Sequence, residues 1–306
     1  MNPTPQLSLV ICTYNRDKYI AQALESIYEQ TAAKELFELV VIDNNSTDTT
    51  ASIVKNFIDA HPDLNAHYHF EENKGLSFAR NRGVKEADAA ILSYVDDDAI
   101  LSTDYVTNML SFFQAYPKAV GAGGKVIPKY ESGSEPKWMN KYLNGFVGKA
   151  DHGTAIRKYN ESMKYPVGCN MTYTKQAITE AGGFNNDLTF RSDDKYIFYK
   201  INALSDEIYY VPDAFVHHYI DSHRLQFDNF KRLFLKTGNE EKIRLRSESG
   251  TVGLFKKFFE LSIKFAASFI LYFLFLIKGQ ELKGRYLLYA QWFTLKGFLL
   301  NKVFVR

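Results

Sequence analysis

Three consecutive aspartates, Asp96, Asp97 and Asp98, are the clearest candidate for a functional site in this sequence. They follow residues 90–95, an apolar run with the composition of a buried β-strand. Adjacent carboxylates fixed at a strand end repel one another, and a divalent cation offsets that repulsion. Mg²⁺ and Mn²⁺ bind through one or two such carboxylates together with phosphate oxygens. A solvated acidic turn is the alternative, but the position after a buried strand favours a metal site.

Tyr14 and Asp43 end two further strand-like runs, residues 7–14 and 36–42. Helical stretches with an apolar residue every third or fourth position separate the runs, so that strand alternates with helix over residues 1–120. This order predicts an α/β fold with a mostly parallel central sheet flanked by helices. Ligands of such sheets bind beyond the carboxyl ends of the strands. Tyr14, Asp43 and the three aspartates are therefore expected at one site.

A second acidic pair, Asp193 and Asp194, precedes a helical stretch at residues 195–204. On the residues alone, two interpretations stay open. Carboxylates at the N-terminus of a helix complement its dipole. A carboxylate can also act as a general base for a hydroxyl group, which is a poor nucleophile until its proton is removed.

Charge is divided unevenly along the 306 residues. Residues 231–306 contain 15 Lys and Arg against 5 Asp and Glu, a net charge of +10, which leaves −8 on residues 1–230 and gives the total of +2. The longest charge-free run of this aromatic C-terminal region, 265–277, has 13 residues, whereas a transmembrane helix needs roughly 20. We therefore predict helices that lie on an anionic membrane surface, with a buried hairpin or an oligomer contact as the alternative.

The two cysteines, Cys12 and Cys169, give neither a zinc-binding spacing nor a disulfide framework. Cys12 lies in an apolar run and is expected to be a buried free thiol. The first residues lack the basic and apolar regions of a secretory signal. Together with the basic C-terminal region, these features predict a cytoplasmic protein that is peripheral on the inner face of the plasma membrane.

Six short segments lie in order between residues 7 and 219: ICTYNR (11–16), VVIDNNSTD (40–48), NKGLSFARNRGV (73–84), YVDDDA (94–99), GGF (182–184) and the acidic pair in SDDK (192–195). In this order and spacing they resemble the family 2 glycosyltransferases, inverting enzymes that have the GT-A fold. The resemblance implies a GT-A-like catalytic domain over residues 1–223. Its nucleotide-binding half is 1–120, its acceptor-side half is 121–223, and a helical region, 224–306, follows.

The resemblance implies that six residues lie near the nucleotide: Thr13, Tyr14, Asn15, Asp43, Arg80 and Asn81. The ring of Tyr14 is expected to pack on the base, and Asp43 to hydrogen-bond the base or the ribose. Arg80 is expected to pair with phosphate. The alternatives are a core aromatic for Tyr14 and an ordinary ion pair on the helix surface for Arg80.

The same resemblance implies that Asp98 binds Mn²⁺ or Mg²⁺ directly. Asp96 and Asp97 are expected to contact ribose, or the metal through water, and the sequence does not rank them. The metal acts as a Lewis acid on the leaving diphosphate. Asp194 is similar to the catalytic base of the family. Asp193 takes the place of a family Glu, and this shorter carboxylate is expected on the acceptor side.

Three further residues complete the expected site. Some GT-A enzymes have a histidine as an additional metal or diphosphate ligand near the position of His217 and His218, which strand alternation puts on opposite faces. The spacing favours His218 as the metal ligand, with a structural histidine as the alternative. Trp138 and Asn170 are expected on the acceptor side, Trp138 because aromatic faces suit sugar rings, although its spacing with Tyr142 also fits a packing stripe.

These features predict an inverting glycosyltransferase that moves a sugar from a nucleotide-diphosphate sugar, UDP-linked, to a glycan or lipid-linked acceptor in surface polysaccharide synthesis. A catalytically inactive GT-A-like binding or scaffold protein is the alternative. A nucleotidyltransferase is disfavoured because the segment after the first strand, ICTYNRDKY, has no glycine to form a triphosphate loop. Nucleic-acid binding is not expected, since the basic region is apolar and aromatic rather than a solvated basic stripe.

Overall fold

The structure, a computed structural model, describes residues 4–159, 163–188 and 192–300. These residues form two compact units. The first comprises 4–128, 148–159, 163–188 and 193–219, and the second comprises 129–147, 192 and 220–300. Each unit therefore combines separate stretches of chain, whereas the sequence predicts a single division between residues 223 and 224.

The parallel half of the central sheet comes from the first 96 residues. It contains β1 (Leu7–Thr13), β2 (Phe37–Asp43), β3 (Ala66–Phe70) and β4 (Ile91–Asp96), in the spatial order β3-β2-β1-β4. The intervening helices are α1 (Ile20–Tyr28), α2 (Thr50–Ala60) and α3 (Leu76–Glu86). Leu9 and Ile11 of β1 face one hydrophobic core and Val10 faces another, because the sheet is covered on both sides. The predicted α/β class is confirmed.

The antiparallel half extends the same sheet beyond β4. It is formed by β5 (Ala99–Leu101), β6 (Gly121–Tyr130), β7 (Arg157–Lys158), β8 (Asn170–Thr174) and β9 (Ile208–Ile220). The order continues β4-β8-β6-β9-β5, with β7 also on β9. The helices of this half are α4 (Tyr105–Ala115), α5 (Lys175–Glu180) and α6 (Asp193–Asn202).

β6 lies in a stretch whose glycines predict loops rather than a strand. The structure gives the reason for these glycines. A Cβ atom at Gly121 would lie 2.5 Å from the ring of Tyr173, and one at Gly124 would lie 1.7 Å from the carbonyl oxygen of Ala214. Glycine here permits close approach between neighbouring segments and does not mark a turn.

The register of the parallel strands brings their polar ends together. Thr13 is opposite Asp43 on one side of β1, and Cys12 is opposite Asp96 on the other. Because the carboxyl ends of these strands lie at one edge of the sheet, the edge collects the polar residues that follow them.

The second unit is built from helices: α7 (Phe227–Glu248), α8 (Gly250–Ile277), α9 (Glu281–Leu299) and a short 3-10 helix, Lys141–Phe146. Phe146, Phe230, Ala290 and Phe293 belong to its buried apolar cluster. Within the described ranges, α8 alone has the length and apolar composition that would allow a helix to cross a membrane.

Candidate active site

Asp96, Asp98 and His218 bring three candidate metal ligands together at the end of β4. One ligand atom from each side chain, a carboxylate oxygen or an imidazole nitrogen, lies within 4.8 Å of the other two. Across residues 4–159, 163–188 and 192–300, no other set of three such side chains has this arrangement. Two hard oxygens with one imidazole nitrogen fit Mn²⁺, and the carboxylates alone fit Mg²⁺.

Pairing between β5 and β9 positions the histidine of this cluster. The backbone N–H of Tyr219 donates a hydrogen bond of 2.8 Å to the carbonyl oxygen of Asp98, and Nε2 of His218 lies 3.2 Å from Oδ1 of Asp98. Gly148 backs the imidazole, since a Cβ atom there would lie 3.1 Å from Nδ1 of His218. His218 is buried and directed at the aspartates, whereas its neighbour His217 is only half-buried.

Arg16 supplies positive charge to the acidic cluster. Its Nε lies 3.3 Å from Oδ1 of Asp97, and its Nη2 lies 3.6 Å from Oδ2 of Asp98. Burial raises the pKa of Asp97 to about 7, and Arg16 acts in the opposite direction. Arg16 thus partly neutralises two carboxylates that would otherwise repel each other.

Arg80 links the metal cluster to the acidic pair at the start of α6. Its buried guanidinium forms an ion pair with the carboxylate of Asp193, and its Nη2 lies 3.8 Å from Oδ1 of Asp96. The same nitrogen donates a hydrogen bond of 3.3 Å to the carbonyl oxygen of Gly168. Burial lowers the pKa of Arg80, but Asp193 and Asp96 outweigh that effect and raise it above its ordinary value. The guanidinium therefore stays charged.

Asp194 lies in the first turn of α6 and is partly exposed. Its Oδ2 accepts a hydrogen bond of 3.3 Å from the backbone N–H of Gly168, and its Oδ1 accepts one of 2.7 Å from the N–H of Lys195. Gly168 therefore contacts both Asp194 and Arg80, which fixes the spacing between them. A carboxylate with an accessible edge, held in this way, can accept a proton from a hydroxyl group.

Asp43 is buried at the end of β2 with both carboxylate oxygens oriented. Oδ1 accepts a hydrogen bond of 2.8 Å from the N–H of Ser46, and Oδ2 accepts one of 2.7 Å from the hydroxyl of Tyr68. Each carboxylate oxygen can accept a further bond. Asp43 is thus a fixed acceptor for an N–H or O–H group of a ligand.

The loop after β1 is tied to the loop after β2. Asn15 has a positive φ of 52°, and its side-chain oxygen accepts a hydrogen bond of 2.8 Å from the N–H of Thr47. Thr13 is buried at the end of β1, while the ring of Tyr14 is 45% exposed. Nζ of Lys74 lies 5.2 Å from the centre of that ring. An exposed ring beside a fixed carboxylate offers a flat surface on which a nucleobase can stack.

Comparison with known proteins agrees with this geometry. The sequence pattern described as glycosyl transferase family 2 matches residues 8–182, more than half of the chain. The chain belongs to glycosyl transferase family 2.

Two relatives indicate the range of acceptors within the family. The chain is 25% identical over 233 residues to the glucosyl-dolichyl phosphate glucuronosyltransferase of Haloferax volcanii, a match that covers 73% of this chain and 72% of that protein. It is 33% identical over 160 residues to the validoxylamine A glucosyltransferase of Streptomyces hygroscopicus subsp. limoneus, which covers 52% of this chain and 34% of that protein.

Solved structures share the fold at low identity. The mannosyltransferase PcManGT from Pyrobaculum calidifontis, in complex with GDP-Man and Mn²⁺, aligns with a TM-score of 0.63 and 18% identity, covering 94% of this chain and 86% of that one. Residues 1–349 of S. aureus TarS, in complex with UDP-GlcNAc, align with a TM-score of 0.58 and 19% identity, covering 96% and 89%. These alignments confirm the GT-A-like fold.

Asn81 and Asn170, which the sequence assigns to ligands, are held by protein partners in this family 2 glycosyltransferase. The amide of Asn81 exchanges hydrogen bonds of 2.9 and 2.8 Å with the backbone of Phe184. Asn170 is fully buried; it accepts from Tyr105 at 2.9 Å and donates to Ala214 at 2.9 Å. These bonds fix the turn at Phe184 and the interior of the sheet, and they give no support to a ligand contact by either residue.

Trp138 belongs to the second unit. Its ring stacks on Tyr286 at a centroid distance of 4.5 Å, and it also meets Phe146 and Phe230 edge-on. This is the packing alternative that the spacing with Tyr142 left open. A contact between Trp138 and an acceptor stays a prediction without support from these contacts.

Arg16 and Tyr68 are the site residues that sequence reasoning missed. Arg16 ends the ICTYNR segment, so the family pattern already contained a signal for it. Tyr68 carries no such signal, because its hydrogen bond to Asp43 depends on the pairing of β3 with β2.

Proposed function

We propose that this glycosyltransferase transfers a sugar, with inversion at the anomeric carbon, from a UDP-sugar to the hydroxyl group of a glycan or lipid-linked acceptor, and that it requires Mn²⁺ or Mg²⁺. The observation that carries the proposal is the cluster of Asp96, Asp98 and His218 at the sheet edge where Asp43 also lies. The cluster supplies ligands for a metal beside a diphosphate, and Asp43 supplies an acceptor for the base.

The residues around Asp43 support uracil as the base that this carboxylate binds. Uracil presents an N–H donor that a carboxylate can accept, and the exposed ring of Tyr14 offers a stacking surface. Asn15, held by Thr47, shapes the loop between them. Guanine also presents N–H donors, so the donor screen below includes GDP-sugars. Thr13 is buried at the end of β1, directly before this loop.

The oxygen and nitrogen ligands of this cluster fit a divalent metal ion, with Asp98 and His218 as direct ligands and Asp96 as a third ligand. A divalent cation bound there would offset the negative charge that develops on the leaving diphosphate. Asp97 is paired with Arg16 and lies beside the metal ligands, where it can accept from a ribose hydroxyl. Arg80 forms ion pairs with both Asp96 and Asp193, so its charge links the proposed metal ligands to the acidic pair at the start of α6.

Asp194 is the proposed general base. Its carboxylate accepts the proton of the acceptor hydroxyl as that oxygen attacks the anomeric carbon and forms the new glycosidic bond. The bond between the anomeric carbon and the phosphate oxygen breaks, and its electron pair leaves with the diphosphate. One displacement of this kind inverts the anomeric centre and needs no covalent intermediate on the enzyme. Asp193, bound to Arg80, is proposed to orient the acceptor side.

The lipid-linked acceptor and a location on the inner face of the plasma membrane are supported by two observations. One relative is described as acting on a glucosyl-dolichyl phosphate, and another, GgaB of Bacillus subtilis, as a minor teichoic acid biosynthesis protein. The C-terminal region also carries a net charge of +10, which suits an anionic membrane surface.

The test is a donor screen with UDP-, GDP- and dTDP-sugars in the presence of Mn²⁺, with Mg²⁺ and EDTA as parallel conditions. Released nucleotide reports turnover, and NMR of the product reports the anomeric configuration. We expect turnover with UDP-sugars, loss of turnover in EDTA, and inverted product. Full activity in EDTA would refute the metal requirement, and a retained configuration would refute the single displacement.

A further inference from the structure

The outer face of α8 is an exposed apolar stripe. Phe255, Phe259, Ile263, Ile270 and Ile277 recur at intervals of four or seven residues, so they lie along one side of the helix. Their exposed fractions range from 54% at Phe259 to 82% at Ile277. Only 11% of the most apolar stretch of α8 is buried. Such a continuous apolar surface marks an interaction site.

The opposite face of α8 is already packed within the second unit. Leu261 and Ser268 are buried there. Nζ of Lys257 lies 3.2 Å from Oε1 of Glu241 on α7, and both side chains are largely buried. A Cβ atom at Gly284 of α9 would lie 2.9 Å from the Cα atom of Tyr272. These contacts fix the rotation of α8, so the stripe has a defined direction.

Although the length and mean hydropathy of α8 would allow a membrane crossing, its charges disfavour one. Lys256, Lys257, Glu260 and Lys264 interrupt the helix, and its longest charge-free run is residues 265–277. Thirteen residues of helix span about 20 Å, whereas the hydrocarbon core is about 30 Å thick. The ion pair of Lys257 also holds α8 against α7, which is itself rich in charged residues. Crossing would bring these charges into hydrocarbon.

Lysines flank the stripe. With about 100° of rotation per residue, Lys256, Lys264 and Lys278 project from one flank of the apolar face. All three are exposed. Glu260 lies on the same flank, but Lys264 and Lys257 both pair with it. An apolar face bordered by lysines matches the acyl boundary and the anionic headgroups of a bilayer.

We propose that α8 lies in the plane of an anionic bilayer, with the stripe inserted at the boundary between headgroups and acyl chains and the flanking lysines on the headgroups. The proposal rests on the membrane association in the proposed function and specifies the surface and orientation that produce it. The stripe contains none of the candidate site residues, so lipid binding and sugar transfer can be measured independently.

The first test measures binding of the full chain to liposomes of phosphatidylcholine and phosphatidylglycerol, and to phosphatidylcholine alone. We expect binding to the anionic liposomes that weakens in high salt. Phe259→Asn together with Ile263→Asn should weaken it by at least about tenfold, because two apolar side chains leave the interface. The control, Leu204→Asn, changes a residue that is 59% exposed in the first unit and should bind like the unmodified protein.

The second test measures depth. Nitroxide labels on Val252→Cys, Ile263→Cys and Ile277→Cys, with oxygen and a nickel chelate as relaxing agents, report how deeply each position lies. An in-plane helix gives three similar depths of about 5–10 Å. Depths that differ by the length of the helix would overturn the orientation. Spin–spin broadening without lipid, together with concentration-dependent dimerisation, would instead show that the stripe contacts a second copy of the chain, and it would overturn the proposal.

Nucleotide release in the absence of lipid separates this inference from the proposed function. If the double variant no longer binds liposomes but still releases nucleotide at the normal rate, the stripe is supported as the lipid contact. If the unmodified protein binds liposomes but releases no nucleotide from any donor, the proposed function fails and the membrane surface stands. If the unmodified protein does not bind anionic liposomes, the inference is wrong whatever the enzyme activity.

Discussion

The guanidinium of Arg80 forms a buried ion pair with the carboxylate of Asp193, which is 113 residues away in sequence. Arg80 lies on α3, within the proposed nucleotide-binding half, and Asp193 begins the helix that carries the proposed base. The pair joins the donor and acceptor sides of the site through one contact. Its loss is therefore expected to affect both folding and catalysis.

Asp193→Asn should destabilise the protein by about 3 kcal/mol, because it leaves Arg80 buried without its main counter-charge. The remaining carboxylate, Asp96, lies at 3.8 Å and compensates in part. Urea unfolding at pH 7.5 measures the change as a lower midpoint at constant slope. Asp187→Asn, which alters an exposed carboxylate, is the control and should change little. Equal stability of the two variants would contradict a structural role for the pair.

His218→Ala should weaken Mn²⁺ binding by at least about tenfold, since it removes one of three ligands. Electron paramagnetic resonance of free Mn²⁺ measures this without relying on turnover. His217→Ala is the matched control, because it changes the adjacent histidine on the other face of β9. Equal loss in both variants, or none in either, would remove His218 from the metal site.

Asp194→Asn should reduce transfer by at least about 10²-fold and leave nucleotide affinity within about twofold, because the amide cannot take up the acceptor proton. The single oxygen of asparagine can still accept the hydrogen bond from Gly168, although the one from Lys195 is lost, so the local structure is expected to change little. Transfer assays with isothermal titration of UDP measure the two effects separately. Near-normal transfer would show that Asp194 is not the general base.

Tyr68→Phe should weaken UDP binding by about tenfold, because Asp43 loses the hydrogen bond of 2.7 Å that orients its carboxylate. Burial and the carboxylate of Asp43 raise the pKa of Tyr68, so the hydroxyl remains a donor at neutral and mildly alkaline pH. Tyr28→Phe is the control, since it removes a tyrosine–aspartate bond, to Asp63 at 3.3 Å, away from the site. If both variants bind UDP like the unmodified protein, Tyr68 does not position Asp43.

Cys12 should resist alkylation at pH 8. Cys12 is half-buried rather than fully buried as the sequence predicts, and desolvation raises the pKa of its thiol to about 12, with Arg80 acting in the opposite direction and Asp96 and other carboxylates in the same one. Because the thiolate is the reactive form, roughly one thiol in 10⁴ is reactive at pH 8, and the fraction grows tenfold with each pH unit. Mass spectrometry after iodoacetamide treatment measures the modification, with urea-unfolded protein as the control. Rapid modification of the native protein would show that the thiol is solvated.

Much of the candidate site could be predicted because its residues follow strands in a parallel sheet. Apolar runs ending at Tyr14, Asp43 and Asp96 are local patterns, and the parallel register then brings their ends to one edge. The alternation of strand and helix gave the fold class for the same reason. The glycines of β6 by themselves predict loops, but they serve close packing against Ala214 and Tyr173, which no local pattern reveals.

The sequence by itself determined which elements form and which polar residues end them, since periodicity and turn chemistry are properties of neighbouring residues. Only the tertiary structure decided that His218 rather than His217 meets Asp98, that Arg80 pairs with Asp193, and that Trp138 packs among aromatic rings of the second unit. The contacts of His218 with Asp98, of Arg80 with Asp193 and of Trp138 with Tyr286 each join residues more than 110 positions apart in the chain. Such pairings depend on strand register and helix packing, which are fixed by the whole core and not by any one segment.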